Sequence, residues 1–259
     1  MFKLPKNLNE FDVNISEPFY IFEKKNFFDE EFFNRLHIDF PSENYFHSKH
    51  NLGNKKYLNN KDKNFFVFLG RSDAWKKFYN TINSKNFLNE IFLLCKKSLC
   101  SIEKRKRVKR IHFKTKIKRD LFSRVIRKIK HFFGIYEVRL GFEFSLMKNE
   151  DYIPPHNDTE NKLVSLMIYF PEEYQDRDKN LGTNFFQSTK ENYNLWKGDM
   201  MNEVESKEFY KNYSIFYTSK FEKNKLVGFL KSSESWHDVS IVNTKSNLRK
   251  SLNINLYKI

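Results

Sequence analysis

Leu248-Arg249-Lys250-Ser251-Leu252-Asn253-Ile254-Asn255-Leu256-Tyr257 alternates without a break. Side chains of an extended chain point to opposite faces with a period of two. Arg249, Ser251, Asn253, Asn255 and Tyr257 therefore share one face, and Leu248, Lys250, Leu252, Ile254 and Leu256 share the other. A guanidinium with a hydroxyl two residues on forms a charge-assisted, nearly bidentate site for a carboxylate. Turned into the interior of a β-structure, Arg249 is costly unless an anion meets it. The strand predicts a β-fold with an organic acid bound inside.

Two histidine motifs lie upstream. His156-Asn157-Asp158 comes first, and His237, in Trp236-His237-Asp238, follows 81 residues later. Two histidines and one carboxylate are the ligands of a facial-triad iron(II) site, which leaves positions open for chemistry. Catalytic zinc uses the same ligand types; the Arg249 strand tips the reading to iron, because a 2-oxo acid can chelate the metal and reach an arginine. Pro154-Pro155 favours an extended approach. Along a strand His156 and Asp158 would share one face, with His237 arriving from a distant strand of a closed barrel.

From residue 136 onward the chain reads as strands and short loops: 136–147, 163–170, 182–186, 214–217, 225–230, 236–242 and 248–257. Strand signals separated by turn chemistry suggest a barrel or sandwich. Toward the N-terminus, 16–45 reads as strand, turn and helix. Residues 46–64 read as loop, and helices are expected near 73–83 and 86–99, where Trp75, Phe78, Tyr79 and Ile82 recur at helical spacing. This is an all-β core with flanking helices.

These residues resemble the 2-oxoglutarate- and iron(II)-dependent dioxygenases, whose pattern is H-x-D, a distal His and a downstream Arg-x-Ser. Leu181-Gly182-Thr183-Asn184-Phe185-Phe186 is similar to a Gly-Gly-Thr-Glu-Phe type strand of the prolyl-hydroxylase-like branch, and 236–242 to the strand that holds its distal histidine. Residues 16–45 loosely resemble the strand and helix that precede that core. The spacing of 12 between His237 and Arg249, and the single glycine at Gly182, depart from the usual pattern. A phytanoyl-type branch is left open beside the prolyl-hydroxylase-like one.

The resemblance implies a double-stranded β-helix of jelly-roll or cupin-like type with an N-terminal α/β extension. Residues 1–103 would form the extension, 104–133 a basic segment with an amphipathic helix, and 134–259 the catalytic core. It implies an enzyme that hydroxylates a substrate while O2 and 2-oxoglutarate are converted to succinate and CO2, with ascorbate a candidate reductant. His156, Asp158 and His237 would hold Fe(II). Arg249 and Ser251 would hold the far carboxylate of 2-oxoglutarate, with Tyr169, Thr183 and Asn184 weaker candidates for the cosubstrate pocket. The substrate, a small molecule or a side chain, would be bound by loops 46–64, 149–162, 171–181 and 188–212. Glu172, Glu173, Asp176 and Asp178 are candidates for a cationic substrate and Arg139 for an acidic one, although solvated surface roles fit these residues better. A non-catalytic barrel that binds a metal or ligand is the alternative outside enzymes.

The chain has 259 residues, including 29 Phe, 13 Tyr and 3 Trp, ample for a large apolar core. Ala74 is its single alanine, a scarcity that coding bias explains. Cys95 and Cys100 fit neither a disulfide framework nor a zinc pattern. No apolar run reaches the roughly 18 residues needed to span a bilayer, and the N-terminus lacks a secretory apolar segment. The expectation is a soluble, cytoplasmic protein; oligomeric state is unreadable.

Charge is concentrated. Residues 104–130 carry 14 Lys or Arg and one acid, Asp120, so +13 of the net +15 lies there. Asp120 can cap a helix over 121–133 whose stripe is Leu121, Phe122, Val125, Ile126, Ile129, Phe132 and Phe133. The favoured reading packs that stripe on the body and leaves the charges in water. The alternatives are an anionic membrane surface and nucleic acid. Nucleic acid is disfavoured because no aromatic platform is interleaved with the cations.

Overall fold

The computed structural model describes residues 2, 4–5, 7–48, 54–101, 109–114, 120–172, 181–190, 200–244 and 248–259. The strands are β1 (Val13–Ile15), β2 (Ile21–Lys24), β3 (His47–Ser48), β4 (Lys56–Asn59), β5 (Arg110–Phe113), β6 (Ile135–Lys148), β7 (Ile153–His156), β8 (Lys162–Tyr169), β9 (Thr183–Ser188), β10 (Tyr213–Ser219), β11 (Leu226–Leu230), β12 (His237–Val239) and β13 (Leu248–Lys258). The helices are α1 (Glu30–Ile38), α2 (Lys63–Leu69), α3 (Asp73–Ile82), α4 (Lys85–Ser101), α5 (Leu121–Phe132) and α6 (Glu203–Asn212).

The strands form two sheets. The larger runs β1-β2-β11-β8-β13-β6-β4-β3, with β5 added parallel to β6; the smaller runs β10-β9-β12-β7. Among the described residues neither sheet closes on itself, so the expected closed barrel is replaced by two open sheets. The chemistry of the edges explains this. Pro154 and Pro155 on β7 have no N–H for a further strand, and the larger sheet continues outward into β1–β4 instead of bending back.

β13 lies between β6 and β8, antiparallel to both, and its alternation divides the molecule. Leu252, Ile254 and Leu256 join Phe33, Phe65, Trp75, Phe78, Phe142 and Phe144 in the core beneath the helices. The Trp75 indole N–H donates to the Leu36 carbonyl at 3.0 Å, so its polar handle is satisfied inside. Each such side chain contributes about 1.5–3 kcal/mol by leaving water. A second core between the sheets holds Phe19, Met147, Met167, Tyr169, Phe185, Phe229 and Val239.

Several local expectations need correcting. Residues 46–64 are not all loop: β4 pairs with β6, and Leu58 is fully buried against the helical layer. That strand is short and mostly polar, so tertiary pairing outweighs its weak local signal. The loop 188–212 contains α6, started by a capping box between Asn202 and Glu205. The loop 149–162 contains β7. Cys95 is buried as expected, while the Cys100 side chain and residues Glu173, Asp176 and Asp178 lie outside the described residues.

α5 forms where expected, and the Asp120 carboxylate accepts from the Ser123 N–H at 2.8 Å. Its stripe does not pack on the body. Leu121, Phe122, Val125, Ile129, Phe132 and Phe133 are all exposed. The polar side holds the helix instead, through Lys130 to Glu137 at 2.8 Å and His131 against the Tyr136 ring. No described helix is long and apolar enough to cross a membrane.

Candidate metal and carboxylate site

β7 ends at His156, and the chain turns there. Asp158 has φ of 67°, in the left-handed region that aspartate tolerates better than most residues. His156 and Asp158 therefore do not share a strand face; the turn brings the carboxylate round to the imidazole. His237 is directly opposite His156 in the β12–β7 pairing, with ring centroids 4.1 Å apart. It comes from the neighbouring strand, not a distant one.

The two histidines are oriented alike. Nδ1 of His156 lies 3.0 Å from the Pro154 carbonyl, and Nδ1 of His237 lies 2.9 Å from the Ser235 carbonyl. A carbonyl only accepts, so each Nδ1 carries the proton and each Nε2 keeps its lone pair. His156 Nε2 is 3.8 Å from Asp158 Oδ1, and His237 Nε2 is 3.8 Å from Asp158 Oδ2. Separations of this size suit three atoms that would hold one metal ion in common. One ligand atom from each of the three residues lies within 4.8 Å of the others.

Electrostatics favour a cation at this point. Burial and the neighbouring His237 push the His156 imidazole down to about 3, and burial likewise lowers His237. Burial alone would raise the Asp158 carboxyl. The cation of Lys162, with the two imidazoles, outweighs it and holds Asp158 well below the usual carboxylate range. Lys162 Nζ donates to Asp158 Oδ1 at 2.6 Å. Oδ2 is buried with no hydrogen-bond partner among the described residues. A buried carboxylate oxygen facing two imidazole lone pairs is a donor set that fits a divalent metal.

Arg249 is the second charged group in this interior, 2% exposed. Its Nε donates to the Leu181 carbonyl at 2.6 Å and its Nη1 to Ser251 Oγ at 3.2 Å. The guanidinium lies over the rings of Tyr169 and Phe221, 5.4 and 5.2 Å from their centroids. Burial lowers it to about 10. Among the described residues no carboxylate pairs with it. A cavity of about 640 Å³ joins the two centres, lined by His156, Asp158, Lys162 and His237 together with Arg249 and Ser251. The rest of the predicted polar face of β13, Asn253, Asn255 and Tyr257, lines the same cavity.

The chain superposes on a prolyl-4-hydroxylase from Pseudomonas putida with a TM-score of 0.52, covering 93% of this chain and 94% of that one at 12% identity. The chain has the fold of the prolyl-4-hydroxylases. Those enzymes are members of the 2-oxoglutarate- and iron(II)-dependent oxygenase superfamily and have a jelly-roll fold; at this identity the branch stays unresolved. A prolyl hydroxylase from Trichoplax adhaerens, solved with a peptide fragment of the oxygen degradation domain of hypoxia inducible factor, matches with a TM-score of 0.44 at 8% identity over 92% of this chain and 83% of that one. The sequence matches no family model and no curated protein.

The remaining predicted positions separate clearly. Thr183 lines the cavity, and its hydroxyl is 2.8 Å from the Tyr169 hydroxyl, which lies behind it in the core. Asn184 points elsewhere, donating to Asp238 and Ser240 and accepting from Thr218. Arg139 stacks on Tyr257 at 4.4 Å, and Glu172 is bound by Lys250 at 2.7 Å, on the face of β13 away from the cavity. Lys162 and the half-buried Lys55–Glu143 pair, 2.8 Å apart, were missed. A lysine at the start of an apolar strand, four residues after Asp158, was the available signal for Lys162.

Gly182 has a steric reason. A Cβ there would lie 1.9 Å from the Ser219 carbonyl oxygen, a backbone atom. Gly182→Ala is expected to cost about 1–3 kcal/mol as overpacking, or roughly 2–12 °C in Tm for a chain of this size. Differential scanning calorimetry checks this; an unchanged Tm would contradict the close approach of β9 to β10.

Proposed function

We propose that this chain is an Fe(II)- and 2-oxoglutarate-dependent oxygenase that hydroxylates a C–H bond of a small molecule or a side chain. The observation that carries the reading is Arg249, a buried guanidinium with no carboxylate partner among the described residues, opening on the cavity that also holds His156, Asp158 and His237. A buried unpaired cation is costly, and a dicarboxylate with a 2-oxo group relieves that cost while reaching a metal. The fold likeness supports the same reading. The strand orders β6-β13-β8-β11 in the larger sheet and β7-β12-β9-β10 in the smaller one support reading the core as a double-stranded β-helix.

In this reading His156 and His237 present Nε2 to iron, held in that tautomer by the Pro154 and Ser235 carbonyls. Asp158 supplies Oδ2 while Lys162 engages Oδ1. Arg249 and Ser251 bind the far carboxylate of 2-oxoglutarate. Met167 and Phe229 make part of the cavity wall apolar, which limits water near the reacting atoms. When bound, iron and 2-oxoglutarate supply the oxidative chemistry: one O2 and one 2-oxoglutarate yield succinate, CO2 and one hydroxylated product.

The test is co-binding without oxygen. Isothermal titration of 2-oxoglutarate into anaerobic Fe(II)-loaded protein should give one site per chain. The affinity should be at least about tenfold above that of the metal-free protein, since chelation adds to the Arg249 contact. Equal affinity with and without metal would remove the chelate and leave a ligand-binding barrel.

A further inference from the structure

α5 presents the wrong face to the body for an ordinary surface helix. Its apolar residues fall in one continuous arc, and that arc points outward: Phe122 is 75% exposed and Phe132 is 83% exposed. Its inward contacts are polar, from Lys130 to Glu137 and from His131 to Tyr136. Leu121, Val125, Ile129 and Phe133 complete an exposed apolar strip along the whole length of the helix. Soluble surfaces keep contiguous apolar patches for contacts.

What flanks the strip selects the occupant. Arg124 and Lys128 are exposed along one edge of it, and Lys109, Arg110 and Lys114 are exposed on or beside the neighbouring β5. A second copy would bring two segments of +13 together and is opposed by their repulsion. A protein partner needs hydrogen-bond donors or acceptors at roughly one per 100–200 Å², and the strip offers no polar side chain. Nucleic acid would answer the cations and leave the aliphatic residues in water. Hydrocarbon beneath anionic headgroups answers both. At 12 residues, about 18 Å, the helix is too short to span a bilayer and long enough to lie in its interface.

We infer that α5 docks this protein on an anionic lipid bilayer, its apolar strip entering the headgroup–acyl boundary and its cations meeting lipid phosphates. α5 leads directly into β6, and Arg139 of β6 pairs with Tyr257, which lines the cavity beside Lys162. The docked surface thus lies at the Lys162–Tyr257 end of the larger sheet.

The test is cosedimentation of the full chain with vesicles of equal parts phosphatidylglycerol and phosphatidylcholine, beside vesicles of phosphatidylcholine alone. The expected result is binding to the anionic vesicles, with little to the neutral ones. The double variant Phe122→Ser/Phe132→Ser should weaken binding about a hundredfold, the effect of removing two buried phenylalanines. Arg124→Gln/Lys128→Gln should weaken it about tenfold to thirtyfold. All four side chains are exposed, so both variants should keep the wild-type Tm. No sedimentation of the wild-type chain would overturn the inference. So would Phe122→Ser/Phe132→Ser binding as wild type does, which would leave charge alone responsible. A concentration-dependent dimer in sedimentation velocity that the phenylalanine variant dissolves would assign the strip to a second copy instead.

Discussion

Replacing His237 with Ala is expected to weaken Fe(II) binding by at least about a hundredfold and to lower 2-oxoglutarate turnover by at least about a thousandfold. Losing only an outer-shell partner of a metal ligand typically costs 10–100-fold, and this variant removes a ligand itself. His237 is the preferred probe because its other contacts are modest: Nδ1 to the Ser235 carbonyl and the ring against Phe229 at 4.6 Å. Asp158 is a poorer choice for the first experiment. Asp158→Ala would also remove the carboxylate that accepts from Lys162 Nζ at 2.6 Å, and breaking a buried pair costs about 3–5 kcal/mol. Loss of metal and loss of fold would then arrive together. Anaerobic Fe(II) titration alongside apo-protein thermal unfolding separates them: His237→Ala should lose the metal with little change in apo Tm, whereas Asp158→Ala should lose both.

Arg249→Met is expected to give a split of the opposite kind. Affinity for 2-oxoglutarate should fall by about two to three orders of magnitude, because a desolvated, forked contact to a carboxylate is worth about 2–5 kcal/mol. Fe(II) affinity should be unchanged, since Arg249 is not among the three clustered ligands. Apo stability should hold or rise. Arg249 is buried beside Tyr169, Phe221 and Met147 with no carboxylate partner among the described residues, and replacing a buried charge by an apolar side chain of similar volume is often neutral or stabilising. Arg249→Lys should recover only part of the affinity, because an ammonium cannot make the bidentate contact. Titrations of both ligands with the two variants test this. An Arg249→Met protein that binds 2-oxoglutarate as well as wild type would place the carboxylate elsewhere.

The most legible part of the molecule was β13. Its alternation separated five cavity-lining residues from the apolar residues beneath the helices, because a central strand with one wet and one dry face writes its period directly into the chain. The triad residues were legible as types, but their route into one place was not. Asp158 reaches His156 through a left-handed turn, a conformation that its side chain tolerates but does not announce. β4 was read as loop because it is short and carries little apolar signal, so its pairing with β6, distant in sequence, decides it; for β7 the two prolines signalled an extended approach, which ends at His156 instead of continuing to Asp158. α5 shows the limit most plainly. Its amphipathic pattern predicted the helix and its Asp120 cap, yet periodicity cannot say which face meets the body; Glu137 and Tyr136 on β6, engaging Lys130 and His131, decided that. Lys162 had no motif to mark it, and its role emerges only from its 2.6 Å contact with Asp158.

The most direct test of the central claim is succinate release from 2-oxoglutarate under air by the purified protein with Fe(II) and ascorbate, beside a His156→Ala control. Slow succinate formation is expected without added substrate, matched by CO2 and abolished in the control. Absence of succinate together with absence of anaerobic binding of Fe(II) and 2-oxoglutarate, or succinate formation undiminished by His156→Ala, would contradict it.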